Sequence, residues 1–143
     1  MPAELDEIVD LFAASPKGMR LELLLDYANR LPPLPDDLAA DRGRLEQVHE
    51  CQTPFFVAAE NSGDGIALHF DAPPEAPTTR GYASVLAAGL SGAPAEDILA
   101  VPNDFYVGMG LGELISPLRL RGMGAILGTI KRLVVEDIEG GGG

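Results

Sequence analysis

Three prolines in four positions, Pro32, Pro33 and Pro35, constrain this chain more than any other feature. Proline lacks an amide hydrogen and its ring clashes with the preceding helical turn, so neither a helix nor a sheet ladder runs through Leu31–Pro35. What precedes that segment must end there, and two short helices fit the space. Leu5, Ile8, Val9 and Phe12 recur at helical spacing and predict a first helix over residues 3–14. Ser15-Pro16 restarts the chain as a helix cap and a first-turn proline. Leu21, Leu24, Leu25 and Ala28 supply the apolar stripe of a second helix reaching about Arg30. Leu31–Pro35 itself reads as a stiff connector on which its leucines pack. A polyproline ligand for another domain is the alternative use of such a segment.

Beyond the connector the period changes. Asp36–Asp41 has room for one helical turn. Gln47-Val48 predicts a short strand and Phe55–Glu60 a second one. Asn61-Ser62-Gly63-Asp64-Gly65 is a strong turn signal. Ile66, Leu68 and Phe70 then alternate with Ala67 and His69, the period of a half-buried antiparallel strand. Helices return after a proline-rich loop. One is expected over residues 79–90, capped by Thr78 or Thr79, with Tyr82, Val85, Leu86, Gly89 and Leu90 inward and Gly92 at its end. A short one follows at Ala95–Leu99, and another capped by Asn103 and anchored by Phe105 and Tyr106. One or two turns are expected after the loose Gly108–Gly112. Ser116-Pro117 opens a final helix to Val135, with Leu118, Met123, Ile126, Leu127, Ile130 and Val134 as its stripe. This order predicts an α+β fold, a small antiparallel sheet flanked by helices, in one domain over residues 1–139. The glycines at 140–143 are expected to form a disordered tail.

Charge and hydropathy exclude several classes of function. Hydrophobic residues make up 46% of the 143 and charged residues 22%, a globular balance, and no run is long and apolar enough to span a membrane. The start, MPAELDEIVD, has neither the basic residues nor the apolar core of a secretory signal, so the cytoplasm is the expected compartment. A net charge of −12 repels phosphate backbones, and the ten Lys and Arg are scattered, with small clusters only at Arg119–Arg121 and Lys131–Arg132. Nucleic acid is not an expected partner.

The chain has one cysteine, Cys51. It can form no intrachain disulfide, and metal sites built mainly from cysteines need several thiolates. A lone cysteine is usually a small buried hydrophobe. Cys51, however, falls in the loop ahead of the strand hairpin, where reactive groups tend to be held. A free thiol has a pKa of about 8.5, and Glu50 beside it would lower the ionised fraction further. A nucleophilic Cys51 therefore needs a cation nearby, and Arg119, at the start of the final helix, is the first candidate. His49 offers a Cys–His pair for a stand-alone thiol enzyme. Residues two apart on an extended chain face opposite ways, so a solvated histidine is the better reading. Glycines cluster in GMGLGE and in RGMGAILG, and the second cluster resembles a dinucleotide-binding loop with one extra residue. Ser116-Pro117 has by then already opened the helix, and close helix packing explains those glycines better.

Four motifs in order complete the reading. They are Ala28-Asn29-Arg30-Leu31-Pro32-Pro33-Leu34-Pro35, Val48 with Cys51-Gln52-Thr53, Arg80-Gly81, and Leu111-Gly112 with Leu114-Ile115-Ser116-Pro117-Leu118-Arg119. Together they resemble the SufE/CsdE family of cysteine desulfuration proteins, over about residues 5–135. Glu50 stands where the family usually has glycine, Pro74-Glu75-Ala76 replaces its S-D-A, and Arg121 replaces a polar residue before Gly122. The resemblance implies a SufE-like α+β fold. It also implies that Cys51 accepts sulfane sulfur from a cysteine desulfurase and passes it to an iron–sulfur scaffold protein. Pyridoxal phosphate would then belong to the desulfurase, with no cofactor on this chain. Such a protein would be a sulfur-transfer partner and activator rather than an enzyme alone. Cys51 is further expected to tuck its sulfur into an apolar pocket lined by some of Pro54–Val57 and the Leu, Met and Ile of nearby helices.

Overall fold

The structure, a computed structural model, describes residues 1–141. In chain order it runs α1 (Ala3–Ala14), α2 (Lys17–Ala28), α3 (Asp36–Ala40) and a 3-10 turn at Arg42–Arg44. Next come β1 (Glu46–Gln47), β2 (Phe56–Asn61), β3 (Ile66–Asp71), α4 (Pro77–Leu90) and α5 (Ala95–Leu99). A second 3-10 turn at Phe105–Met109 precedes α6 (Pro117–Gly141). The fold is α+β, with an antiparallel sheet ordered β1-β2-β3 among the helices. Ala59 pairs with Leu68 and Val57 with Phe70, and Ile66, Leu68 and Phe70 all point into the core as their alternation required.

The free edge of β3 is closed by the chain leaving α4. Ile66 donates its amide to the Ala93 carbonyl at 2.9 Å, Gly92 donates to the Ile66 carbonyl at 2.7 Å, and Leu68 donates to Ser91 Oγ at 3.0 Å. Gly92 has φ +92°, a left-handed conformation that lets the chain turn back here without steric cost. The other face of α4 meets α2 at backbone distance. A Cβ on Gly81 would lie 2.3 Å from the Leu24 carbonyl oxygen, so only glycine fits. Beside it, Arg80 donates to the Ala28 carbonyl at 3.0 Å and to the Ala72 carbonyl. Arg80-Gly81 thus fastens the end of α2 to the start of α4, and buried Leu31 packs the start of the proline connector onto the core while Leu34 is half-buried.

Several expectations shift. The stripe of α2 is rotated: Leu24, Tyr27 and Ala28 are buried, whereas Leu21 and Leu25 are 37% and 42% exposed. Tyr27 turns inward because its ring meets Phe12 of α1, with centroids 5.9 Å apart. The Ser15 hydroxyl donates back to the Leu11 carbonyl instead of capping α2. Pro77 is the first residue of α4, ahead of Thr78 and Thr79. Phe105–Met109 forms a 3-10 turn after Asp104, with no side-chain cap from Asn103, and no helix intervenes between Gly112 and Ser116. Leu118, expected in the core stripe of α6, is 44% exposed. α6 continues past Val135 and takes in Gly140 and Gly141, and the last two positions of the expected glycine tail lie outside the described residues. No helix among the described residues is long and apolar enough to cross a membrane.

Candidate functional site

Cys51 is held by a small closed loop. The Val48 amide donates to the Phe55 carbonyl at 2.9 Å and thereby seals residues 48–55 between β1 and β2. Within that loop the Cys51 amide donates to the Val48 carbonyl at 3.2 Å, so Val48–Cys51 is a tight turn with His49 and Glu50 exposed at its crest. Val48 and Phe55 anchor both ends in the core, Phe55 against Phe70 with ring centroids 6.0 Å apart. The turn is therefore fixed at its base and free at its tip.

The first turn of α6 forms the opposite wall. Ser116 Oγ accepts the Arg119 amide at 3.4 Å and caps the helix. Leu118 and Gly122, four residues apart, then share the face toward the cysteine loop. Among the described residues, the hydrogen-bond partner of Cys51 Sγ is the Gly122 carbonyl oxygen, which accepts the thiol at 4.0 Å. The half-buried thiol opens onto a cleft of about 60 Å³ bounded by Glu50, Glu75, Ala76, Leu118, Arg119 and Gly122. Gln52, Thr53 and Thr79 complete it.

These walls match the expected apolar pocket only at Leu118 of α6. Phe55 is wholly buried in the core, and Pro54–Val57 supply no part of the cleft. Two carboxylates and an arginine do. Arg119 borders the same cleft as Cys51, with its guanidinium donating to Thr78 Oγ1 at 3.4 Å. His49 does not border it and makes no hydrogen bond to the thiol, so no Cys–His pair is assembled. The site leaves the sulfur protonated: burial, and then the Glu50 carboxylate, push the Cys51 thiol up from 9.0 to about 11.

Sequence reasoning missed Glu75 and Gly122. Each carried a signal: Glu75 lies in Pro74-Glu75-Ala76, where the resemblance changes its motif, and Gly122 lies in the glycine cluster read as helix packing. Of the three glycines in that cluster, Gly122 alone meets the cysteine. Gly124 faces open space and Gly128 approaches only Asn103.

The family model for SufE, described as an Fe-S metabolism associated domain, matches residues 6–134. The chain belongs to the SufE family. An uncharacterized SufE-like protein of Mycobacterium tuberculosis is 55% identical to it over 137 residues, covering 95% of this chain and 94% of that protein. SufE-like protein 1, chloroplastic/mitochondrial, of Arabidopsis thaliana is 33% identical over 125 residues, 86% of this chain and 32% of the plant protein. Among solved structures, the solution structure of a hypothetical protein from Thermus thermophilus has the same fold. It superposes with a TM-score of 0.87 at 42% identity, covering 97% of this chain and 98% of that one. Cys51, its turn and the opening of α6 all lie inside the SufE match.

Proposed function

We propose that this protein takes sulfane sulfur from a cysteine desulfurase onto Cys51 and hands it to an iron–sulfur scaffold protein. The observation that carries the reading is the chain's sole cysteine, set on an anchored turn at the mouth of a small cleft, within a domain associated with Fe-S metabolism. In the transfer, the Cys51 thiolate attacks the outer sulfur of the donor persulfide. A bond from Sγ to that sulfur forms, the donor's sulfur–sulfur bond breaks, and the donor leaves as a thiolate. No oxidant is consumed. Pyridoxal phosphate stays with the desulfurase, and this chain contributes the acceptor.

Arg119 supports the anion when the turn moves. It borders the cleft and, among the described residues, its guanidinium holds only Thr78 through a long hydrogen bond, so its charge is available to a thiolate or persulfide. Exposed Leu21 and Leu118 beside the cleft give a docking partner apolar contact. The protein works in the cytoplasm, where reducing conditions keep a lone thiol free.

Mixing the protein with a desulfurase and cysteine tests the reading. Intact-mass spectrometry should show one added sulfur on the wild type and none on Cys51→Ser, and the serine variant should lose stimulation of desulfurase turnover. Equal stimulation by Cys51→Ser would refute the carrier role.

A further inference from the structure

We infer that Gly122 of α6 is a positioning residue for the persulfide: its missing side chain leaves the space in which the outer sulfur on Cys51 is sheltered. This inference rests on the carrier reading and goes beyond it to the residue that decides how long the sulfur is kept.

The resting thiol does not demand glycine at this place. A Cβ on Gly122 would lie 3.5 Å from Cys51 Sγ, 3.7 Å from Cys51 Cα and 3.7 Å from the Glu50 carbonyl oxygen, all ordinary contact distances. Gly81 and Gly89 are different, because a Cβ there would come within 2.3 Å and 2.8 Å of its neighbours. Alanine would also suit a helix better than glycine does. With the thiol alone, then, alanine at 122 gains helix stability and adds only ordinary contacts. Glycine is explained by a larger occupant.

A persulfide is that occupant. With a sulfur–sulfur bond of about 2.05 Å and a methyl 3.5 Å from Sγ, the outer sulfur could not point within about 70° of the methyl without closing below 3.5 Å. The excluded directions lead over α6. There the cleft, bordered by Ala76 and Leu118, lies beside both Cys51 and Gly122. The extra methyl thus leaves the thiol undisturbed and pushes the persulfide outward, toward solvent and small thiols.

The test compares wild type, Gly122→Ala and Gly124→Ala, the last adding the same methyl to the same helix where nothing lies within 4 Å. Each protein is loaded with inorganic polysulfide, whose sulfur is taken by the Cys51 thiolate while a shorter polysulfide leaves. Decay of the added sulfur in dithiothreitol is then followed by intact mass. Gly122→Ala should lose its sulfur several-fold faster than the other two, with thiol alkylation and melting temperature close to theirs or higher. Equal lifetimes in all three proteins overturn the inference, and so does equally fast loss from Gly124→Ala. The same proteins are then offered to the desulfurase. A lifetime difference that persists while the desulfurase loads none of them supports the role of Gly122 and counts against the carrier reading. Normal loading by the desulfurase with equal lifetimes does the reverse.

Discussion

Native Cys51 should be alkylated about ten- to twentyfold more slowly than the same thiol in the unfolded chain. Burial and Glu50 push its pKa from 9.0 to about 11. Below pH 9 that displacement lowers the thiolate population about 100-fold. Part of the loss is recovered, because a more basic thiolate is a better nucleophile; a Brønsted coefficient of about 0.4–0.5 returns a factor of roughly 6–10. The assay is iodoacetamide labelling at pH 8, with and without urea, read by intact mass. The direction with pH is also fixed. The two rates rise in parallel to pH 9, and above it the unfolded rate levels off while the native rate keeps climbing. Glu50→Gln should raise the native rate but leave it below the unfolded one, since burial is the larger cause. A native thiol that labels as fast as the unfolded one at pH 8 would refute this account of the site. A Glu50→Gln rate equal to wild type would remove the carboxylate from it.

Two further perturbations separate site from scaffold. Arg119→Gln should slow sulfur transfer from the desulfurase to Cys51 with no change in melting temperature, because the side chain is exposed and, among the described residues, holds only Thr78 at 3.4 Å. An unchanged transfer rate would remove Arg119 from the site. Tyr82→Phe should leave stability unchanged or raise it by up to about 1–3 kcal/mol, the range for an unpaired buried polar group. The Tyr82 hydroxyl is fully buried with no hydrogen-bond partner among the described residues, and burial pushes the phenol well above its ordinary pKa. A clear fall in melting temperature would show that the hydroxyl has a partner.

The scaffold was legible wherever one residue type decided the outcome. Alternation at Ile66, Leu68 and Phe70 gave both the strand and its buried face, and Ser116-Pro117 gave the start of α6, because period and capping are local. The phase of α2 was not local. Leu21, Leu24 and Leu25 are equally apolar, and the inward choice of Leu24 with Tyr27 depends on Phe12 in another helix and on Gly81, which admits the Leu24 carbonyl. The cleft failed for the same reason. The sequence neighbours Pro54–Val57 suggest an apolar pocket, but the walls come from Glu75 and Ala76 ahead of α4 and from Leu118, Arg119 and Gly122 on α6. Cys51 could be singled out as the chain's lone loop thiol. What faces it is set by how three separate segments pack.

The geometry also orders the events of transfer in the proposed function. A carrier with an activating base would have a standing thiolate, and this one has none: His49 is exposed, and Sγ meets a carbonyl oxygen that accepts the thiol proton and disfavours its loss. Burial is the first cause of the raised pKa, so neutralising Glu50 is the smaller lever and lifting the sulfur off α6 the larger. The lift needs little. One backbone hydrogen bond, from Cys51 to Val48, holds the tip of the turn, and the seal from Val48 to Phe55 can stay intact beneath it. Breaking the first costs on the order of 1 kcal/mol, with a similar amount for the exposed sulfur surface. A docking partner offsets such a cost by binding the lifted turn more tightly than the resting one. Docking therefore precedes ionisation, and a free small thiol or oxidant, which cannot dock, meets Cys51 mostly in its protonated form.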